Sequence, residues 1–147
     1  MKLATIFAMS ILSSVSLTSC WQATEKEPTP LAHVQGSNNI IYLHDVVTRN
    51  QDITATFNSY IQSGNVVVDF YADWCNPCRL MSNTIAQVAS QFPSITFVKV
   101  NVDQFESVSS NIRSLPTLVF YKNGTQIKRV SGFREKNQLT SLLKEVY

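Results

Sequence analysis

Apolar residues along this chain recur in two rhythms, every second position in some stretches and every third or fourth in others, and the switches between them mark out its elements. Val66-Val67-Val68-Asp69-Phe70-Tyr71 is an apolar run rich in β-branched side chains, which suits a central strand buried on both faces. Asn76 to Phe92 carries Leu80, Met81, Thr84, Ile85, Val88 and Phe92 at helical spacing. Ile95 to Val102 then alternates as a strand. Upstream, Ile40-Ile41-Tyr42-Leu43 reads as a short strand, and Ile53 to Ile61 as a helix with Phe57, Tyr60 and Ile61 on one face. Downstream, a short helix is expected around Phe105 to Ile112 and a strand over Thr117 to Tyr121. Asn123-Gly124 is a hairpin signal. Gln126 to Ser131 returns as its partner strand, and Glu135 to Tyr147 closes as a helix bearing Leu139, Leu142, Leu143 and Val146. The order β-α-β-α-β-α-β-β-α predicts an α/β fold over residues 40–147, with a central mixed β-sheet and helices on both faces.

The residues before Ile40 follow neither rhythm. Met1-Lys2 is a short, weakly positive start, and Leu3 to Leu17 is uncharged, mostly apolar and small. As a helix that segment spans only about 22 Å, short of the roughly 30 Å hydrocarbon core, so it reads as a signal-peptide core rather than a transmembrane helix. It ends in Leu17-Thr18-Ser19-Cys20, which resembles the lipobox of bacterial lipoproteins. That resemblance implies a leader over residues 1–19 and lipidation of Cys20, with several acyl chains giving the stable anchor that one chain does not. An ordinary signal peptide that happens to hold a cysteine, or an uncleaved membrane helix, are the alternatives. Trp21 to Asn39 contains Pro28, Pro30 and Gly36 without apolar periodicity, so residues 20–39 read as a lipidated N-terminus and flexible tether. Such a tether spans roughly 20–25 Å as a coil and about 60 Å fully extended.

At 147 residues the chain has room for one domain and a leader. Charged residues are only 15% of it, and the formal net charge of +2 drops when Lys2 leaves with a cleaved leader. Near neutrality, and without a basic stripe, the domain has no electrostatic case for nucleic acid. There is no internal repeat, and nothing in so compact a domain calls for more than a monomer. Three cysteines are an odd count for an exported protein. Assigning Cys20 to the leader junction leaves Cys75 and Cys78 as a pair.

That pair carries the chemistry. Trp74-Cys75-Asn76-Pro77-Cys78-Arg79 sets two thiols three positions apart, where the apolar strand ends and a helix begins. A helix N-terminus presents unpaired N–H groups and partial positive charge, which stabilise a thiolate, and a thiolate is what attacks a disulfide. Cys75, at the helix start, is the candidate nucleophile. Cys78 is the candidate resolving thiol, which would attack a mixed disulfide at Cys75 and release the reduced substrate. Pro77 fits the first helical turn, where a missing N–H costs little. A purely structural Cys75–Cys78 disulfide is the competing reading. Zinc would need further ligands near the pair, and His33 and His44 are distant surface residues in sequence. Haem attachment would need histidine where Arg79 stands.

From Ile40 to Tyr147 the chain resembles a thioredoxin. The resemblance rests on Val68-Asp69-Phe70-Tyr71-Ala72-Asp73-Trp74-Cys75-Asn76-Pro77-Cys78-Arg79, Val100-Asn101-Val102-Asp103, Leu115-Pro116-Thr117, Lys122-Asn123-Gly124 and Gly132, in that order. It departs from the family where Asn76 replaces a usual glycine, Arg79 a usual lysine, Asn83 a helix-kinking proline and Tyr71 a frequent tryptophan. The resemblance implies the thioredoxin fold and a redox-active Cys75–Cys78 disulfide that needs no bound cofactor.

It also implies roles for the supporting residues. Asp69 becomes the buried acid that exchanges a proton with Cys78, its pKa raised by burial toward the working pH; an exposed edge position is the plain alternative. Lys99 matches the lysine beside that acid, or is a solvated strand end. Trp74 shields the site or simply packs. Pro116 matches the family's cis-proline, with the backbone of Leu115 pairing with an extended substrate strand beside Cys75. Gly132 would allow close approach of that substrate, or mark a turn.

These readings converge on a membrane-tethered thiol–disulfide oxidoreductase of the bacterial envelope, lipid-anchored and facing the periplasm or extracytoplasmic space. Its expected partners are disulfide-containing protein substrates and a membrane thiol donor or acceptor of electrons. The domain lacks the helical insert of disulfide-inserting oxidases and the central insert of cytochrome-maturation relatives, which favours the reducing direction. A disulfide-forming oxidase is the alternative, and a non-catalytic peptide-binding or chaperone module is the different class to be excluded.

Overall fold

A computed structural model describes residues 39–147. The expected leader, Cys20 and all but the last residue of the tether lie outside the described residues. Ten elements follow one another: β1 (Ile40–Tyr42), α1 (Leu43–Val46), α2 (Ile53–Ile61), β2 (Asn65–Tyr71), α3 (Asn76–Ala89), β3 (Ile95–Asn101), α4 (Glu106–Ser109), β4 (Thr117–Lys122), β5 (Thr125–Ser131) and α5 (Lys136–Val146). The strands form one five-stranded sheet in the order β1-β3-β2-β4-β5. β3 runs parallel to β1 and β2, whereas β4 is antiparallel to both β2 and β5, so the sheet is mixed as expected.

The run Val66–Phe70 is apolar on both faces because β2 lies in the middle of the sheet and both faces are covered. On one face Val66, Val68 and Phe70 pack with Val98, Val100 and Val119 beneath Leu43, Phe57 and Ile61. On the other, Val67, Phe97, Leu118 and Phe120 pack beneath Met81, Ile85 and Val88 of α3 and Leu139 and Leu143 of α5. Each such side chain contributes about 1.5–3 kcal/mol on burial, so the two layers hold the sheet from both sides. Strand alternation puts Asp69 on the same face as Val67, under α3.

Most strand and helix ends fall within one residue of the sequence reading, and three differences bear on the packing. Leu43 opens the short helix α1 instead of ending β1, and its side chain is fully buried in the α2 layer. α3 ends at Ala89 rather than Phe92. The Asn39 side-chain amide donates to the carbonyls of Ala89, Phe92 and Ile95 at 3.1, 2.9 and 2.6 Å, fixing the turn that leaves the helix. α4 is one turn, Glu106–Ser109, inside the longer stretch expected. The Asn123-Gly124 hairpin is present, with φ of 48° and 81°, the left-handed values a tight hairpin turn requires. Among the described residues no helix is long and apolar enough to cross a membrane.

Candidate active site

The site lies where β2 hands over to α3. Cys75 is the N-cap of α3, with extended backbone, and its Sγ accepts a hydrogen bond from the Cys78 N–H at 3.2 Å. Pro77 occupies the first turn, where its missing N–H leaves nothing unsatisfied. Cys75 and Cys78 are joined by a disulfide, with sulfurs 2.08 Å apart. Both are largely covered, Cys75 at 5% exposure and Cys78 at 1%. An incoming group therefore meets Cys75 first, and a developing thiolate there faces the N–H groups at the positive end of α3.

A groove lined by Trp74, Cys75, Pro77, Val102, Ile112 and Leu115 opens on the Cys75 side. Trp74 does not pack inward: it is 70% exposed, and its indole N–H donates to Asp103 Oδ2 at 2.9 Å, which fixes the ring as one wall. The Leu115–Pro116 peptide is cis, as the resemblance implied. Gly132 lies beside that step, its N–H donating to the Pro116 carbonyl at 2.8 Å. Its φ of 87° explains the glycine, because a Cβ there would meet only ordinary contact at 3.6 Å from Arg134 Nη1.

Lys99 lines a recess together with Cys78, and the structure brings Asp69 and Lys99 together. Both are sealed from water, and Lys99 Nζ lies 2.5 Å from Asp69 Oδ2. The sheet register aligns them directly, Asp69 on β2 opposite Lys99 on β3. Complete burial raises the Asp69 pKa above the ordinary carboxylate value; the charge and hydrogen bond of Lys99 oppose that rise without cancelling it. Asp69 Oδ1 is buried with no hydrogen-bond partner among the described residues. Tyr71 lies with its ring centroid 4.8 Å from Lys99 Nζ. Its hydroxyl pKa is pushed up to about 12, first by burial and then by the nearby charges, so it stays a neutral phenol.

All the site residues expected in the domain thus fall at one end of the sheet, in two groups. Cys75, Trp74, Pro77 and Leu115 line the groove, with Pro116 and Gly132 beside it. Lys99 shares a recess with Cys78 and is paired with the buried Asp69. Sequence reasoning missed three partners. Ser82 accepts from Lys99, Asp103 holds Trp74, and Asn76 Oδ1 accepts from the Arg79 guanidinium across the first turn of α3. The Asn76–Arg79 and Cys78–Ser82 spacings, three and four residues, were a legible helical signal.

A thioredoxin family model matches residues 47–145. The chain belongs to the thioredoxin family. Thioredoxin from Chlamydia pneumoniae is 38% identical over 89 residues, covering 59% of this chain and 87% of that protein. Thioredoxin from Mycoplasmoides gallisepticum is 47% identical over 81 residues, covering 54% of this chain and 81% of the relative. Among solved structures, Fasciola hepatica thioredoxin matches with a TM-score of 0.60 and 32% identity, over 64% of this chain and 94% of that one. Membership and the Cys75–Cys78 pair make the protein a thiol–disulfide oxidoreductase, whose family acts on disulfide-containing protein substrates. In this thioredoxin-type site the redox group is the protein's own sulfur pair.

Proposed function

We propose that the protein is a membrane-tethered reductase of protein disulfides in the bacterial envelope, working through Cys75 and Cys78 without a further cofactor. The observation that carries the site reading is the asymmetry of the pair: Cys75 lines an open groove, whereas Cys78 shares a recess with Lys99, the partner of the buried acid Asp69. In the reducing direction, the Cys75 thiolate attacks a substrate disulfide, forming a mixed disulfide and expelling one substrate thiolate. Cys78 then gives its proton toward Asp69 and attacks Cys75 Sγ. The Cys75–Cys78 bond forms, the second substrate thiolate leaves, and two electrons have passed from protein to substrate. Trp74 and the Leu115–Pro116 backbone hold the substrate chain beside Cys75. A membrane thiol donor then returns the pair to the dithiol.

The reducing direction is supported by the short connections around the site. α3 passes to β3 through residues 90–94, with no inserted helical domain among the described residues. The tether and anchor rest on Leu17-Thr18-Ser19-Cys20 and the proline-bearing stretch after it. The direction is tested by equilibrating the domain beginning near Gly36 with glutathione buffers. A reduction potential near that of thioredoxin, about −270 mV, supports the reductase, whereas one near −120 mV makes the protein a disulfide-forming oxidase. For the anchor, Cys20→Ser is expected to move the protein from the membrane pellet to the soluble fraction. Retention in the pellet would remove Cys20 as the attachment point.

A further inference from the structure

The Lys99 ammonium has three N–H donors and is almost sealed from solvent. One donor reaches Asp69 Oδ2 at 2.5 Å, and another reaches Ser82 Oγ at 2.8 Å. The Tyr71 ring, 4.8 Å away, offers a π face to the remaining positive charge. Ser82 in turn donates from its hydroxyl to the Cys78 carbonyl at 3.0 Å. A serine bonding back to the carbonyl four residues earlier is common in helices and by itself says nothing. Here the same oxygen also accepts from a buried cation, so one hydroxyl joins the Lys99–Asp69 pair to the backbone of the resolving cysteine.

We propose that Ser82 is a positioning residue for the proton step, holding the Lys99 ammonium in place beside Asp69. This rests on the reading of Asp69 as the proton acceptor for Cys78. With Ser82 fixing its position, the ammonium keeps its charge and hydrogen bond directed at Asp69, and both favour the carboxylate. The other charged and titratable groups around the pair do not take the place of Ser82. The Tyr42 ring centroid is 5.7 Å from Lys99 Nζ, and Tyr71 is the neutral phenol already described. Asp73 and Arg79 line the recess that Lys99, Cys78 and Ser82 share. The Asp73 carboxylate accepts from Asn101 Nδ2, and the Arg79 guanidinium is committed to Asn76. Among the described residues, only Asp69 and Ser82 accept a hydrogen bond from the ammonium.

The test is the pH profile of mixed-disulfide resolution in the full-length protein, with oxidised glutathione as the probe. Alongside it runs the titration of the Asp69 carboxyl carbon by NMR in the oxidised form. In Ser82→Ala the acid limb of the rate and the Asp69 midpoint should both move up by about half a pH unit or more, because the ammonium loses one of its two hydrogen-bond acceptors. Ser82→Thr, which keeps the hydroxyl, should restore both. A hydroxyl that mattered only to the helix predicts something else: unchanged midpoints and a slightly more stable protein, since alanine is the better helix former. That result overturns the proposal, as does a shift that threonine fails to reverse. Asp69→Asn separates the two levels of argument. If it removes the inflection at the Asp69 midpoint, leaving only the rise from solution base, while Ser82→Ala leaves that inflection unmoved, only the Ser82 proposal falls. If Asp69→Asn keeps the inflection, the reading of Asp69 falls and the proposal with it.

Discussion

Asp69 and Lys99 stand directly opposite one another in the β2–β3 register, their charged ends 2.5 Å apart and both sealed from solvent. Ion pairs this deep are poor sources of stability, because desolvating two charges offsets most of their attraction. The Asp69 pKa is raised in spite of the neighbouring cation, which shows burial outweighing the pair. A carboxyl poised in this way, paired with a lysine that shares a recess with Cys78, is suited to general acid–base work rather than to holding the fold.

Replacing that carboxyl should therefore slow chemistry. Asp69→Asn keeps the shape and removes the proton acceptor. Resolution of the mixed disulfide should slow on the order of 10²-fold near neutral pH. The deficit should shrink as the pH rises, because solution base can then ionise Cys78 directly. Stopped-flow measurement of substrate thiol release checks this, and a rate equal to the unmodified protein across the pH range would take Asp69 out of the mechanism.

The same raised pKa sets a pH dependence of stability. Between the unfolded and the folded pKa of Asp69, the unfolded chain has lost its proton while the folded chain still holds it. The unfolded state then binds fewer protons, so stability falls as pH climbs through that window. For one group the slope is at most about 1.36 kcal/mol per pH unit. Urea midpoints of the oxidised protein should decline upward from the ordinary carboxylate range, and Asp69→Asn should flatten that decline. A decline of equal steepness in the variant assigns it to another group.

Much of this arrangement was legible in the chain, and what was not had a common cause. β2 was readable because five consecutive residues, Val66 to Phe70, are all buried, and an aspartate inside such a run had to be exceptional. Cys75, Pro77 and Cys78 were readable because a helix start and a thiol pair are both local signals. Leu43 misled because one apolar residue after a strand fits a strand and a helix equally well, and only its packing under α2 decides. Ser82 to Lys99, Trp74 to Asp103 and Asn39 to the end of α3 join residues 17, 29 and 50 or more positions apart. Such pairings exist only once the sheet has set its register. The Tyr147 hydroxyl between the Val66 and Tyr121 carbonyls, at 2.8 and 2.9 Å, belongs with them.

Trp74 is exposed where a residue of its size is usually covered, and it walls the groove at Cys75. Trp74→Ala should weaken binding of a protein disulfide about five- to tenfold, read as a rise in KM, because a large aromatic at an interface centre commonly carries more than 1 kcal/mol. The rate with a small disulfide, which does not span the groove, should change little. Folding stability should stay within about 0.5 kcal/mol, as for other exposed positions. Equal losses on large and small substrates would point to Cys75 chemistry instead of docking.

The two cysteines should separate by role because Cys75 lines the groove and Cys78 does not. Cys75→Ser removes the sulfur that faces the groove, so neither turnover nor a covalent adduct with substrate should form. Cys78→Ser keeps the attacking thiolate and removes only the step that releases it. That variant should therefore accumulate a mixed disulfide with protein substrates, one per chain, visible as a mass shift that a reductant reverses. The double Cys75→Ser, Cys78→Ser variant should be inactive in disulfide reduction. Full biological function in the double variant would move the protein to the class of peptide-binding modules, with the groove kept and the sulfur chemistry incidental.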